Sequence, residues 1–166
     1  MPYTPAHPAF IGQLLNHNSP QHKPSMRLPT KADWAALDPN DLEAPYIREH
    51  FFGKSFEDAL ELFENNAIFY GEELLSMPYG LFNFYAPALV AYLLSELARG
   101  DADGASSFLI RMSWLLDKMP ELMSSDTKKL LLDTSEKIAH SQDFYDASVD
   151  IYGSFLEQYA KIKSYL

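Results

Sequence analysis

Ser55-Phe-Glu-Asp-Ala-Leu-Glu-Leu-Phe-Glu-Asn65 is the stretch from which the fold can be read. Phe56, Leu60, Phe63 and, just beyond, Ala67 fall on one side at helical spacing, and Glu57, Asp58, Glu61 and Glu64 on the other. Ser55 stands where a helix N-cap belongs, with Asp58 three residues on, close to a capping box. A helix therefore runs from Ser55 to Asn65, apolar inward and acidic outward. Outward from it the pattern repeats. A second helix is predicted from Ala67 to Met77, stopped at Pro78 before a Tyr79-Gly80 turn. A third runs from about Leu81 to Arg99, with Pro87 either starting or kinking it. Leu89, Val90, Tyr92, Leu93, Leu94 and Leu97 make it apolar nearly all round, the mark of a central element.

Gly100 to Gly104 is expected to be a loop, followed by a helix from Ser106 to Met119 that Pro120 ends. In that helix Leu109, Met112, Leu115, Leu116 and Met119 face one way and Ile110 and Trp114 another, so burial on more than one side is expected. Ser125 to His140 makes the next helix. Asp143 to about Lys163 makes the last, with Phe144, Ile151, Phe155 and Ile162 inward and Asp146, Asp150 and Glu157 outward. No segment alternates with period two. The fold class is all-α, a compact bundle of about five to seven helices with short connections.

Residues 1–45 differ in composition. They hold eight of the eleven prolines and three of the five histidines. Proline removes a backbone donor and turns the preceding residue away from helix. This is a proline-rich irregular N-terminal arm, expected to pack on the single helical domain of residues 46–166. Phe10, Ile11, Leu14 and Leu15 suit one short helix. Trp34 and Leu37 suit another turn, begun by Asp33, and a tryptophan there favours docking of the arm.

Composition excludes more than it assigns. At 166 residues, with 47% hydrophobic and 14% aromatic content, the chain is one domain in length and able to bury a core. It has no cysteine, which removes a disulfide scaffold, a thiolate metal site and a thiol nucleophile, and fits a reducing cytoplasm. Its net charge of −10 opposes a phosphate backbone, so no nucleic-acid partner is expected. The first residues lack the basic start and apolar run of an export signal. The longest apolar stretch, Leu81 to Leu94, falls short of the roughly 18–20 residues of a membrane span.

Motifs that suggest chemistry fail on inspection. Gly53-Lys54-Ser55 looks like the end of a phosphate loop, but Arg48 stands where its first glycine belongs, leaving a turn and a helix cap. Asp101-Ala-Asp103-Gly104 looks like the start of a calcium loop, but Met112 stands where its closing glutamate belongs. Arg99-Gly100-Asp101 matches an adhesion tripeptide, a match short enough to arise by chance. His7, His17, His22, His50 and His140 show no paired ligand spacing, and His50 at an expected helix start reads as structural. No Gly-x-Ser-x-Gly elbow is present. No metal, cofactor or catalytic residue is assigned.

Carboxylates are the richest feature. Glu57, Glu61 and Glu64 share a helix face at i, i+4 and i+7, and Glu72 and Glu73 follow on the next helix. Asp146, Asp150 and Glu157 make a second row. Both rows lie opposite apolar stripes, which points them at water, either as a solvated face or as a docking surface for a basic protein partner. Residues 51–100 alone carry seven acids and two bases, a balance of −5. Tyr145, Tyr152 and Tyr159 recur every seven residues between the stripes of the last expected helix, where tyrosine serves as rim packing or as an interface anchor.

Three runs have a family texture: Glu49-His-Phe-Phe-Gly-Lys-Ser-Phe-Glu-Asp-Ala, Glu72-Glu-Leu-Leu-Ser-Met-Pro-Tyr-Gly, and Phe84-Tyr-Ala-Pro-Ala-Leu. Together they make the stretch Tyr46 to Leu94 resemble small helical bacterial proteins, some of which are similar to toxin-neutralising immunity proteins. That resemblance implies an acidic cytoplasmic binding protein without catalysis. The expected function is accordingly an immunity-type inhibitor that binds a basic toxin or enzyme directly, without nucleic acid or membrane. The partner-binding residues would be Glu57, Glu61, Glu64, Glu72, Glu73, Tyr145, Tyr152 and Tyr159. The alternatives are an enzyme built on clustered carboxylates, with or without a metal, and a helical scaffold or regulatory subunit. Converging buried carboxylates would favour the enzyme; exposed ones, the binding module.

Overall fold

The computed structural model describes residues 27–166, and every regular element among them is helical. They are α1 Lys31–Ala35, α2 Ala44–Phe51, α3 Phe56–Leu74, α4 Tyr79–Leu93, α5 Ala102–Lys118, α6 Ser125–Ala139, α7 Val149–Tyr152 and α8 Phe155–Lys163. Short 3₁₀ turns at Glu96–Ala98, Pro120–Leu122 and Gln142–Tyr145 join them. None of these helices is long and apolar enough to cross a membrane. The short helix expected around Phe10 to Leu15 lies outside the described residues.

α3 begins as its sequence dictates. The Ser55 hydroxyl accepts from the Asp58 N–H, and the Asp58 carboxylate accepts from the Ser55 N–H at 2.8 Å. The helix breaks register at Asn66 (φ −156°, ψ 88°), where the sequence divides two helices. The Asn66 side chain then accepts from Phe69 N–H at 3.0 Å and so caps the second half as Ser55 caps the first. That second half ends at Leu74, short of the expected Met77.

α4 is the central element. Leu81, Phe82, Tyr85, Ala86, Ala88, Leu89, Val90, Ala91, Tyr92 and Leu93 are all buried, and α1, α3 and α6 pack around them. Pro87 lies inside the helix. The Tyr85 hydroxyl donates to the carbonyls of Phe51 and Lys54 at 2.9 and 3.0 Å, pinning the turn through Gly53 between α2 and α3. Asn83 ties α4 to the start of α6 by donating to Leu122 O and accepting from Ser124 N–H.

Other boundaries depart from the sequence reading too. α4 starts at Tyr79, in the expected turn, and ends at Leu93, short of the expected Arg99, which leaves Leu97 exposed. α5 starts at Ala102, inside the expected loop, because Asp101 caps it by accepting from Gly104 N–H at 2.9 Å. The single last helix is three pieces. A 3₁₀ turn ends in Asp146 at φ +52°, and Gly153 at φ +72° separates α7 from α8. Ser154, with Glu157 three residues on, caps the new helix. Gln142 satisfies the backbone groups that the breaks release: it donates to Ala147 O and Gly153 O and accepts from Phe155 N–H.

The breaks alter the expected core. Phe63, Leu93, Leu115, Phe155 and Ile162 are buried; Phe56, Leu60 and Phe144 are half-buried; and Ile151 is 76% exposed. Trp34 and Leu37 are buried, and Arg48 donates to Trp34 O at 2.9 Å with its guanidinium over the indole. The cap of α1 is Thr30; Asp33 is the reciprocal member of its capping box.

Candidate functional site

α3 carries two kinds of carboxylate, one on each side of Asn66. On the first half Glu57, Glu61 and Glu64 are exposed, and none of their side chains makes a hydrogen bond or ion pair with another described residue. Asp58 is committed to the helix cap, and its bonds from the Ser55 backbone and hydroxyl hold its carboxyl below the ordinary range. Like charges at i and i+4 repel by a few tenths of a kcal/mol, so the uncompensated row is a small standing cost to the helix.

On the second half the two neighbours Glu72 and Glu73 separate. Glu72 is exposed, 3.9 Å from Arg111 on α5. Glu73 is not on the expected wet face: it is 4% exposed and accepts from His50 Nδ1 at 2.8 Å. Residue 73 turns inward because a helix advances about 100° per residue, and Glu72 already occupies the outer position. His50 stands in the last turn of α2, not at a helix start, edge-on to the rings of Phe69 and Tyr70. Burial pushes the Glu73 carboxyl up, the bond from His50 opposes this, and the charges of Glu43 and Glu49 add to the rise.

The three tyrosines do not form a stripe. Tyr145 is 2% exposed, and its hydroxyl donates to Leu93 O at 2.7 Å, closing the end of α4. It is a core residue and not a surface anchor. Tyr152 on α7 is half-buried and donates to Asp103 at 2.8 Å. Tyr159 on α8 lies beside His140, with Lys163 Nζ over its ring at 4.8 Å. Asp146, Asp150 and Glu157 are exposed but stand on three different segments, so they are no single row.

A feature that the sequence reading misses lies where α3 meets α5. Ile110 and Trp114, expected to be buried, are 60% and 41% exposed, and Ile68 on α3 is 39% exposed. Arg111, between them, donates to Ile68 O at 2.9 Å and passes over Gly71, where a Cβ would sit 2.7 Å from Nη1. Glycine at 71 thus lets the guanidinium bridge the two helices. The Tyr92 hydroxyl donates to the α5 cap Asp101, and further along α5 Arg111 meets Ile68 and Glu72 on α3. The spacing of Ile110 and Trp114 at i, i+4 was visible in the sequence; that no element among the described residues covers them was not.

Beneath Arg111 a cavity of about 30 Å³ is lined by Gly71, Leu74, Leu89, Met112 and Leu131, room for a water molecule or two and not for a substrate. Among the described residues no group of three or more His, Cys, Asp or Glu side chains is placed to hold a metal ion. Comparison with protein-family models, curated proteins and solved structures gave no match.

Proposed function

We propose that the chain is an acidic protein-binding module that engages a basic protein partner through the first half of α3. In its most concrete form it is a cytoplasmic immunity-type inhibitor that neutralises a basic toxin or enzyme by direct binding. The observation that carries this reading is the row Glu57, Glu61 and Glu64, exposed and without a counter-charge among the described residues. Apart from Glu57, whose carboxylate sits favourably in the first turn of α3, such a row gives the folded chain little. It steers a basic partner, raises the encounter rate and penalises acidic competitors. The resemblance of residues 46–94 to small helical bacterial proteins supports the same class.

The test is capture from the native cell with the chain and with its Glu57→Lys/Glu61→Lys/Glu64→Lys variant. A basic protein held stoichiometrically by the first and lost by the second supports the reading. A partner held equally by both contradicts it. One observation favours a second reading, an enzyme: the buried Glu73 carboxylate orienting His50 is an arrangement that general-base sites use. His50→Gln separates the two, because it would abolish turnover by an enzyme and leave capture of a basic protein intact.

A further inference from the structure

The two histidines among the described residues are held alike and backed differently. His140, just past the end of α6, donates Nδ1–H to Glu136 O at 2.8 Å. His50 donates Nδ1–H to the Glu73 carboxylate at 2.8 Å. A carbonyl or an ionised carboxylate only accepts, so both neutral rings keep their lone pair on Nε2. Behind His140 stands a neutral backbone group of its own helix. Behind His50 stands a full negative charge from another helix, sealed from water and so little screened. That charge stabilises the positive charge an imidazole gains when Nε2 forms a bond. The His50 ring is also fixed, edge-on to Phe69 at 5.6 Å and to Tyr70 at 5.4 Å. Its Nε2 makes no hydrogen bond with another described residue and is not buried. We infer that His50 Nε2 is a nucleophile that accepts and releases the acyl group of a small activated ester, with Glu73 as its positioning residue.

This rests on the enzyme reading of the pair, names its substrate class, and is independent of the acidic row on α3. In the first step the Nε2 lone pair forms the N–C bond to the ester carbonyl carbon. The C–O bond breaks, and the alcohol oxygen leaves with its electron pair. The Nδ1 proton passes through solvent to that oxygen, which leaves a neutral acylimidazole. In the second step the hydroxyl of water joins the acyl carbon, the N–C bond breaks, and the remaining proton restores Nδ1–H. Ester and water thus become acid and alcohol. The surroundings set the charge of the ester. Glu43 and Glu49 add negative charge at Glu73, and neighbouring Arg48 is committed to Trp34 O. An uncharged or cationic ester is therefore favoured over an anionic one. Exposed Phe69 beside the ring offers an apolar contact to an aryl leaving group.

The experiment uses the full chain and two uncharged acyl donors, above neutral pH so that Glu73 is ionised. With diethyl pyrocarbonate, mass spectrometry follows each histidine separately. His50 should be modified at least about tenfold faster than His140, although His140 is the more exposed. Glu73→Gln keeps an acceptor for Nδ1 and removes the charge. It should slow His50 at least about tenfold and leave His140 as in the parent. A merely structural Glu73 predicts the opposite, since loosening the clamp would expose His50 and speed its modification. With p-nitrophenyl acetate in excess, His50→Gln should cut steady p-nitrophenolate release at least about threefold, and His140→Gln should leave it nearly unchanged. Circular dichroism checks the fold of each variant; if His50→Gln fails to fold, the site-resolved rates of the parent and of Glu73→Gln decide. His50 no faster than His140, or not slowed by Glu73→Gln, would overturn the proposal. Fast modification without release that depends on His50 would overturn the acyl-transfer step and leave the general-base reading of the pair standing.

Discussion

The two halves of α3 use the same residue type in opposite ways. Before Asn66, three glutamates stand in water without partners among the described residues; after it, Glu73 is sealed against His50 within the core. A glutamate's role is set by what its helix position faces, and charge counts carry no information about that. The first half is a surface whose charge is free to act on another molecule. The second is a structural clamp, joining the last turn of α2 to the last turns of α3.

The largest effect should come from the shared apolar face beneath both halves. Phe63 is fully buried, and Phe63→Ala should cost about 3–5 kcal/mol in denaturant unfolding. A variant that unfolded at the parent's midpoint would break the picture of α3 as a core helix.

Next is the clamp. Glu73→Ala leaves His50 Nδ1 without its acceptor and should cost about 1–3 kcal/mol. The pH dependence has a definite sign. Burial holds the Glu73 carboxyl above its ordinary value, so the folded chain binds this proton more tightly than the unfolded chain does. The group's contribution is therefore most favourable below the ordinary glutamate value and is lost as pH rises through the raised one. Compared with Glu73→Gln, the parent should gain stability as pH falls through the raised value toward the ordinary glutamate range. A stability difference flat across that window would show the carboxyl to be solvated.

A smaller effect separates the tyrosines. Tyr145→Phe removes the bond to Leu93 O and should cost about 1 kcal/mol, whereas Tyr159→Phe should change stability little. Equal costs would restore the idea of one helical stripe. Smallest of all should be the triple reversal of Glu57, Glu61 and Glu64. These side chains are exposed and unpaired among the described residues, so Glu61→Lys and Glu64→Lys should each stay within about 0.5 kcal/mol by thermal unfolding, and Glu57→Lys, in the first turn of α3, within about 1 kcal/mol. A larger loss would mean that the row supports the fold.

Much of this architecture was legible in the chain because it is local. The Ser55–Asp58 capping box, the break at Asn66 and the apolar girth of α4 follow from residues within a turn or two of each other. The errors came from two sources. Gly153-Ser154, with Glu157 three residues on, is a stop-and-start signal that an apolar periodicity through Ile151 concealed. The pairing of His50 with Glu73 spans 23 residues and depends on the α2–α3 turn, which no spacing rule reaches. The same holds for the strip at Ile68, Ile110 and Trp114, since periodicity reveals that a face is apolar but not whether another element covers it.

The central claim is that free charge on the first half of α3 acts on a basic partner. It is tested most directly by the association rate of the captured partner with the parent and with the Glu57→Lys/Glu61→Lys/Glu64→Lys variant, each at low salt and near physiological ionic strength. Screening shortens the reach of charge to about 8 Å in the second condition. The parent should associate markedly more slowly at the higher salt, and the variant should be slow at both. Equal rates for parent and variant, unmoved by salt, would contradict the account.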